Sequence, residues 1–86
     1  MRAFYWHYSM MSREKLTAVW ATASRPELLK LGMREIEIDI GDSLVQRPAS
    51  SWCVGCDMLA QNLLKRLETL QQQAAWRALV HDYAGT

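Results

Sequence analysis

The longest run of apolar residues at helical spacing lies in the last third of the chain, directly after a pair of cysteines. Leucines and one alanine recur there every three or four residues: Leu59, Leu63, Leu67, Leu70 and Ala74. This spacing predicts one face of an α-helix that begins between residues 53 and 57. Three glutamines at 71–73 interrupt the pattern, which resumes on a rotated face at Trp76, Leu79, Val80 and Tyr83. We therefore expect one long helix over 53–83 as the spine of the fold, with a bend or a split near the glutamines as the alternatives.

Two shorter helices are predicted before this long helix. Leu16, Val19, Trp20 and Ala23 recur at helical spacing, so they indicate an amphipathic helix over about 13–23, with Ser12 as its N-cap. A second helix begins at Pro26 and Glu27, because proline and an acidic residue both suit a first helical turn. Its apolar residues are Leu28, Leu29 and Leu31, and Gly32 is expected to end it.

Residues 34–40 read as a strand, because polar residues alternate with isoleucines at 36, 38 and 40. A single strand is not stable alone, so it would pair with residues 3–8, with residues 43–46 or with another chain. Without such a partner, the segment would be an extended linker. Residues 47–51 are predicted to form a loop. The expected fold class is mainly α: a small helical domain with one long C-terminal helix and a short strand or hairpin.

The chain of 86 residues is long enough for one small domain, which we assign to residues 12–86. Trp20, Trp52 and Trp76 are expected to anchor its core, because each can bury a large area. Residues 1–11 are assigned as an aromatic N-terminal extension. Half of the aromatic residues fall within it: Phe4, Tyr5, Trp6 and Tyr8. One interpretation is an extension without fixed structure. The other is a strand or an exposed patch in which Trp6 and Tyr8 bind a partner.

Charge is distributed unevenly along the chain. The net charge of +1 argues against a protein that binds nucleic acid through phosphate neutralisation, so such binding is expected to be weak or absent. Residues 33–46 carry four acidic groups and one basic group between mildly basic flanks. We interpret these acids as a partner-binding surface, and the alternative is a solvated strand face. The candidate partner-binding acids are Glu35, Glu37, Asp39 and Asp42.

No segment is long and apolar enough to span a bilayer, and the N-terminus lacks the features of a signal peptide. Two closely spaced cysteines do not form a disulfide framework, so we expect a cytoplasmic protein. No catalytic set of serine, histidine and acid can be assembled, nor a glycine loop for phosphate. We therefore expect a protein that is not an enzyme and needs no cofactor.

The pair Cys53 and Cys56 has three possible interpretations. A Cys-x-x-Cys at a helix N-terminus can be a redox pair, because the helix dipole stabilises a thiolate. A zinc site would need two more ligands, for which only His7 and His81 remain. The favoured interpretation is that both cysteines pack as small apolar residues at the helix start.

Residues 52–60 (Trp-Cys-Val-Gly-Cys-Asp-Met-Leu-Ala) resemble the thioredoxin active-site turn and the helix that follows it. That resemblance implies a nucleophilic Cys53 and a resolving Cys56. A complete thioredoxin fold needs further strands and a cis-proline facing the thiols. The thirty residues after Cys56 contain no proline and follow a helical pattern, so a complete thioredoxin is excluded.

Three blocks resemble a family of phage regulators. They are residues 16–21 (Leu-Thr-Ala-Val-Trp-Ala), the loop from Arg47-Pro48 into residues 52–57, and residues 76–86, which contain Leu79-Val80, Tyr83 and Gly85-Thr86. Together they resemble the front part of the lambdoid-phage Q-type antitermination proteins, late-gene transcription regulators related to sigma-factor DNA-binding domains. The family usually has two or three aspartates where this chain has Asp57 alone. The helix-turn-helix of that family would begin where this sequence stops, so no DNA-reading residue is carried over.

This resemblance implies a phage-encoded helical module in the cytoplasm of a host cell, which binds a protein complex, with RNA polymerase preferred. Two alternatives stay open. One is a small phage inhibitor of a host or defence complex, of the anti-CRISPR type. The other is a thiol-redox protein that uses Cys53 and Cys56. A homodimer is also possible, because a strand without a partner and spare apolar helix surface would both be covered by a second copy.

Overall fold

Four α-helices make up most of the protein in its computed structural model, which describes the backbone of residues 2–84 and the side chains of residues 11–81. They are α1 (Arg2–Thr22), α2 (Arg25–Leu31), α3 (Glu35–Gln46) and α4 (Val54–Ala84). A short 3-10 turn, Ala49–Ser51, lies between α3 and α4. Residues 2–84 contain no strand. The predicted mainly helical fold with a long C-terminal helix is therefore confirmed, and the predicted strand or hairpin is wrong.

The predicted strand at 34–40 is the start of α3. Its N-terminus is capped, because the Glu37 carboxylate accepts a hydrogen bond from the backbone N–H of Arg34 at 2.8 Å. Acidic residues in the first turn also complement the helix dipole. The buried positions of α3 are Ile38, Gly41 and Leu44, which follow a helical spacing. Ile36 is exposed, so the three isoleucines do not share a face.

Helix α1 is longer than the sequence predicts. It begins at Arg2, so residues 3–8 are helical and do not form the strand considered as a partner for 34–40. Ser12 is buried in the middle of α1, and its predicted role as N-cap is wrong. The side chains of Trp6 and Tyr8 lie outside the described residues. Helix α1 passes through residue 11. The predicted division there, between an N-terminal extension and the domain, stays a prediction.

Helix α2 begins at Arg25, one residue before the predicted start at Pro26, and it ends before Gly32 as predicted. The hydroxyl of Ser24 accepts from the backbone N–H of Glu27, whose carboxylate in turn accepts from the backbone N–H of Ser24 at 3.1 Å. This reciprocal pair is a capping box. Gly32 ends the helix with a φ of 123°, a conformation that glycine adopts without steric cost.

Helix α4 is a single helix that continues through the three glutamines. Its buried face consists of Cys56, Ala60, Leu63, Leu67 and Leu70. The prediction was right for the last three of these and wrong for Leu59 and Ala74, which are exposed. Every side chain from residue 71 to residue 81 is exposed, so only the first half of α4 contributes to the core.

The core forms where α1, α2 and α3 pack against that first half of α4. The other helices contribute Leu16, Leu28, Ile38 and Leu44, and the link between α2 and α3 contributes Met33. Helix α3 runs antiparallel to α4: Gly32, just before α3, lies against Leu70, and Glu37 pairs with Arg66 further back along α4. Helix α1 packs against both α3 and α4. This arrangement leaves one long side of the α3/α4 pair open to solvent.

Candidate functional site

A groove lies along the open side of the α3/α4 pair. It encloses about 860 Å³. Its apolar lining comes from Ile36, Ile40, Leu44, Met58 and Leu59. Polar groups border it at Asp39, Ser43, Arg47, Cys53 and Asn62. We call this feature the α3/α4 groove.

Large apolar side chains in the α3/α4 groove are unusually exposed. Ile36 is 59% exposed, Met58 60% and Leu59 45%. Helix α3 places Ile36 on its outer face, and the turn after Cys56 places Met58 and Leu59 outside the buried face of α4. Neighbouring exposed apolar groups of this size are typical of a surface that binds a partner.

Arg25 neutralises part of the predicted acidic surface. Its guanidinium donates to Asp39 at 2.7 Å and lies 3.8 Å from Glu35 and 3.6 Å from Asp42. The hydrogen bond to Asp39 raises the pKa of Arg25 above its ordinary value. These groups are well exposed, so solvent screens the pairs and each contributes little to stability.

The four predicted partner-binding acids have different environments. Glu37 is only 20% exposed in its side chain, caps α3 and accepts from Arg66 Nε at 3.1 Å. Asp42 accepts a hydrogen bond from Trp20 Nε1 at 2.8 Å, which joins α3 to α1. Glu35 and Asp39 keep 72% and 64% of their side chains exposed. Glu37 and Asp42 thus join α3 to α4 and α1, while Glu35 and Asp39, although paired with Arg25, keep most of their side chains accessible to a partner.

The two cysteines lie at the start of α4, at one end of the groove: Cys53 just before the helix and Cys56 in its first turn. The carbonyl of Cys53 accepts from the backbone N–H of Asp57 at 3.0 Å, which makes Cys53 the N-cap residue. The sulfur of Cys53 accepts from the backbone N–H of Cys56 at 3.1 Å. Cys53 is exposed and Cys56 is buried. The packing interpretation is therefore right for Cys56 and wrong for Cys53.

The environment of Cys53 favours its thiolate. Hydrogen bonding from the Cys56 side chain lowers the pKa of the Cys53 thiol most, and the backbone N–H of Cys56 lowers it further. The positive charge of Arg47 acts in the same direction. Partial desolvation opposes these effects without cancelling them. The Cys53 thiol is thus more acidic than an ordinary free cysteine.

In the part of the chain that the structure describes, the fold brings no further zinc ligands to the two cysteines. Among the described residues, no group of three or more His, Cys, Asp or Glu side chains could hold a metal ion. His81 lies on the exposed second half of α4, far along the helix from Cys56. His7 lies outside the described side chains.

Sequence reasoning did not find the buried polar groups beside the cysteines. Asp57 is only 2% exposed; its Oδ2 accepts from Gln61 Nε2 at 2.6 Å, and its Oδ1 has no hydrogen-bond partner. Trp52 Nε1 also lacks a partner. The four-residue spacing of Asp57 and Gln61 on a helix was a usable signal for the first contact.

The three tryptophans predicted as core anchors do not all have that role. Trp20 and Trp52 are half-buried and pack against the core. Trp76 is 65% exposed on the second half of α4, so its predicted core role is wrong.

Comparison with protein-family models, with curated proteins and with solved structures gave no match for this chain. The resemblances to Q-type antitermination proteins and to the thioredoxin turn therefore stay predictions. None of the described helices combines the length and the apolar character that crossing a membrane requires.

Proposed function

We propose that this protein is a small phage-type regulator that binds a protein of the host transcription machinery through the α3/α4 groove, in the manner of an antitermination factor. The observation that carries the proposal is the exposed apolar surface of Ile36, Met58 and Leu59 along the groove. Water contact with such a surface is unfavourable, and a partner that covers it gains roughly 25 cal/mol per Å² of apolar area.

The shape of the groove suits an amphipathic helix or a short apolar segment. Two antiparallel helices form its walls, with aliphatic side chains inside and charged groups, Asp39 and Arg47, at its border. An apolar helix face laid into such a groove is a recurring mode of protein recognition. The opposite charges at the border would orient the bound segment.

The choice of RNA polymerase as partner rests on the resemblance to Q-type antitermination proteins. Asp39 borders the groove on its α3 side and the exposed Glu35 lies one helical turn before it, so this side suits a partner segment with basic flanks that compete with Arg25 for the two carboxylates. DNA binding is expected to be weak and to disappear at modest salt, because the net charge is only +1.

The test is a binding measurement with purified bacterial RNA polymerase. We expect Met58→Glu to weaken binding by roughly tenfold or more, since it places a charge in the centre of an apolar contact. Leu79→Glu is the matched control, because Leu79 is equally exposed (59%) but lies outside the groove. Charge reversal of Glu35 and Asp39 together should also weaken the complex, whereas each variant should keep the helical circular dichroism of the parent chain.

Two results would contradict the proposal. One is a complete lack of binding to RNA polymerase by the unmodified chain. The other is equal affinity of the Met58→Glu and Leu79→Glu variants, which would remove the α3/α4 groove from the contact surface.

A further inference from the structure

We propose that Cys53 and Cys56 form a thiol–disulfide exchange site, in which Cys53 attacks a small organic disulfide that enters the end of the α3/α4 groove and Cys56 completes the exchange. This inference does not depend on the proposed binding function. It rests on the different accessibility of the two thiols, on their separation and on the groups around Cys53.

The different exposure of the two cysteines assigns the attacking role to Cys53 and the second step to Cys56. Cys53 is exposed and lines the groove, so a disulfide from solvent can reach its sulfur. Cys56 also borders the groove, but it is only 4% exposed and packs in the core. A disulfide in solution therefore has much less access to the Cys56 sulfur than to the Cys53 sulfur, whereas a disulfide already bonded to Cys53 lies next to Cys56.

The separation of the two residues fits a disulfide. They are three residues apart across the first turn of α4, and the Cys56 N–H already donates to the Cys53 sulfur at 3.1 Å. Side chains three apart on a helix have Cβ atoms about 5–6 Å apart, and a disulfide needs about 3.5–4.5 Å between Cβ atoms. Because Cys53 is the N-cap residue, with a backbone that is not held in the helix, a small rotation there closes the gap.

The surroundings of Cys53 favour the nucleophilic form of its thiol. The thiolate is the reactive form of a cysteine, and the lowered pKa of Cys53 increases its population. The Cys56 side chain, the backbone N–H groups at the start of α4 and the Arg47 guanidinium all stabilise this negative charge. The apolar walls at Met58 and Leu59 lie beside it and can contact the aliphatic part of a disulfide.

The reaction balances without any other reagent. The Cys53 thiolate attacks one sulfur of the disulfide, which forms a mixed disulfide and releases the other half as a thiolate. The Cys56 thiol then loses its proton to solvent and attacks the Cys53 sulfur, which releases the second half. The two cysteines are oxidised to one intramolecular disulfide, and the small disulfide is reduced to two thiols.

The experiment incubates the fully reduced chain with glutathione disulfide and follows the products by intact-mass spectrometry. We expect a monomer that has lost two hydrogen atoms, with two glutathione thiols released per chain. The Cys56→Ser variant should stop at the mixed disulfide and carry one glutathionyl group. The Cys53→Ser variant should react at least roughly tenfold more slowly, since its remaining thiol is buried.

A second measurement examines Arg47 as a positioning residue. The alkylation rate of Cys53 by iodoacetamide is measured against pH; its midpoint should lie below that of free glutathione. Arg47→Gln should move this midpoint to higher pH, and Arg47→Lys should restore it. Arg77→Gln, on the exposed second half of α4, should leave it unchanged.

Three outcomes would overturn the proposal. They are a Cys53 thiol that titrates like free glutathione, oxidation that yields only disulfide-linked dimers, and a Cys53→Ser variant that reacts as fast as the parent chain. If RNA polymerase binds the doubly substituted Cys53→Ser, Cys56→Ser chain normally, the binding function and the exchange site are separate properties.

Discussion

At the scale of single residues, the contact between Gly41 and Trp20 determines how closely α1 and α3 approach. A Cβ atom at position 41 would overlap the indole ring of Trp20. The same indole donates its N–H to Asp42, the next residue of α3. Glycine in a helix is unfavourable by itself. At this position its cost is offset by the packing of a large aromatic ring directly against the backbone.

We therefore expect Gly41→Ala to reduce the free energy of unfolding by about 1–3 kcal/mol, the usual cost of overpacking a core. The matched control is Gly55→Ala in the first turn of α4. A Cβ there would lie 3.9 Å from the Cys53 sulfur, an ordinary contact. Since alanine favours a helix, the control should be neutral or more stable by up to about 1 kcal/mol. Urea unfolding followed by circular dichroism gives both values, and equal values would contradict the role assigned to the Trp20 contact.

At the scale of secondary structure, α3 shows where the sequence misleads and why. Five residues of alternation, Ile36 to Ile40, fit a strand as well as a helix that is partly exposed. Two features decide for the helix: the cap that Glu37 forms with the backbone N–H of Arg34, and the buried positions Gly41 and Leu44 beyond the alternating residues. Gly41 lies inside α3, and the contact with Trp20 that requires a glycine there is formed only in the folded chain, so the sequence alone does not show it.

Glu37 links the start of α3 to α4, so its removal should affect stability more than removal of a neighbouring acid. Glu37→Ala loses the bond to the Arg34 N–H and the pair with Arg66, and we expect a loss of about 1–2 kcal/mol. Glu35→Ala is the control, because that side chain is 72% exposed, and its cost should stay within about 0.5 kcal/mol. Thermal and urea unfolding measure both, and a Glu35→Ala variant as unstable as Glu37→Ala would contradict this assignment.

At the scale of the whole molecule, the core lies beside only the first half of α4. The sequence identified Leu63, Leu67 and Leu70 as core residues, because their spacing is helical in any packing arrangement. Trp76 was also expected in the core, because no pattern in the sequence shows where α2 and α3 stop covering α4. The groove was not predicted for a related reason: it depends on how α3 and α4 lie side by side, and α3 was read as a strand.

Because only the first half of α4 is packed, similar substitutions in its two halves should change the free energy of unfolding by different amounts. Leu63→Ala should reduce the free energy of unfolding by about 2–5 kcal/mol, as expected for a leucine truncated in a core. Leu79→Ala, at an exposed position of the same helix, should change it by less than about 0.5 kcal/mol. Chemical denaturation of the two variants measures both costs. Comparable losses would mean that the second half of α4 is packed in solution.

The exposed second half of α4 has a further consequence for amide hydrogen exchange. Helical hydrogen bonds that no tertiary packing covers open locally, without unfolding of the remaining protein. Amide protons at residues 74–81 should thus be replaced by deuterium long before those at residues 60–70. A ligand that slowed amide exchange only at residues 74–81 would thereby be located on the second half of α4, without any substitution.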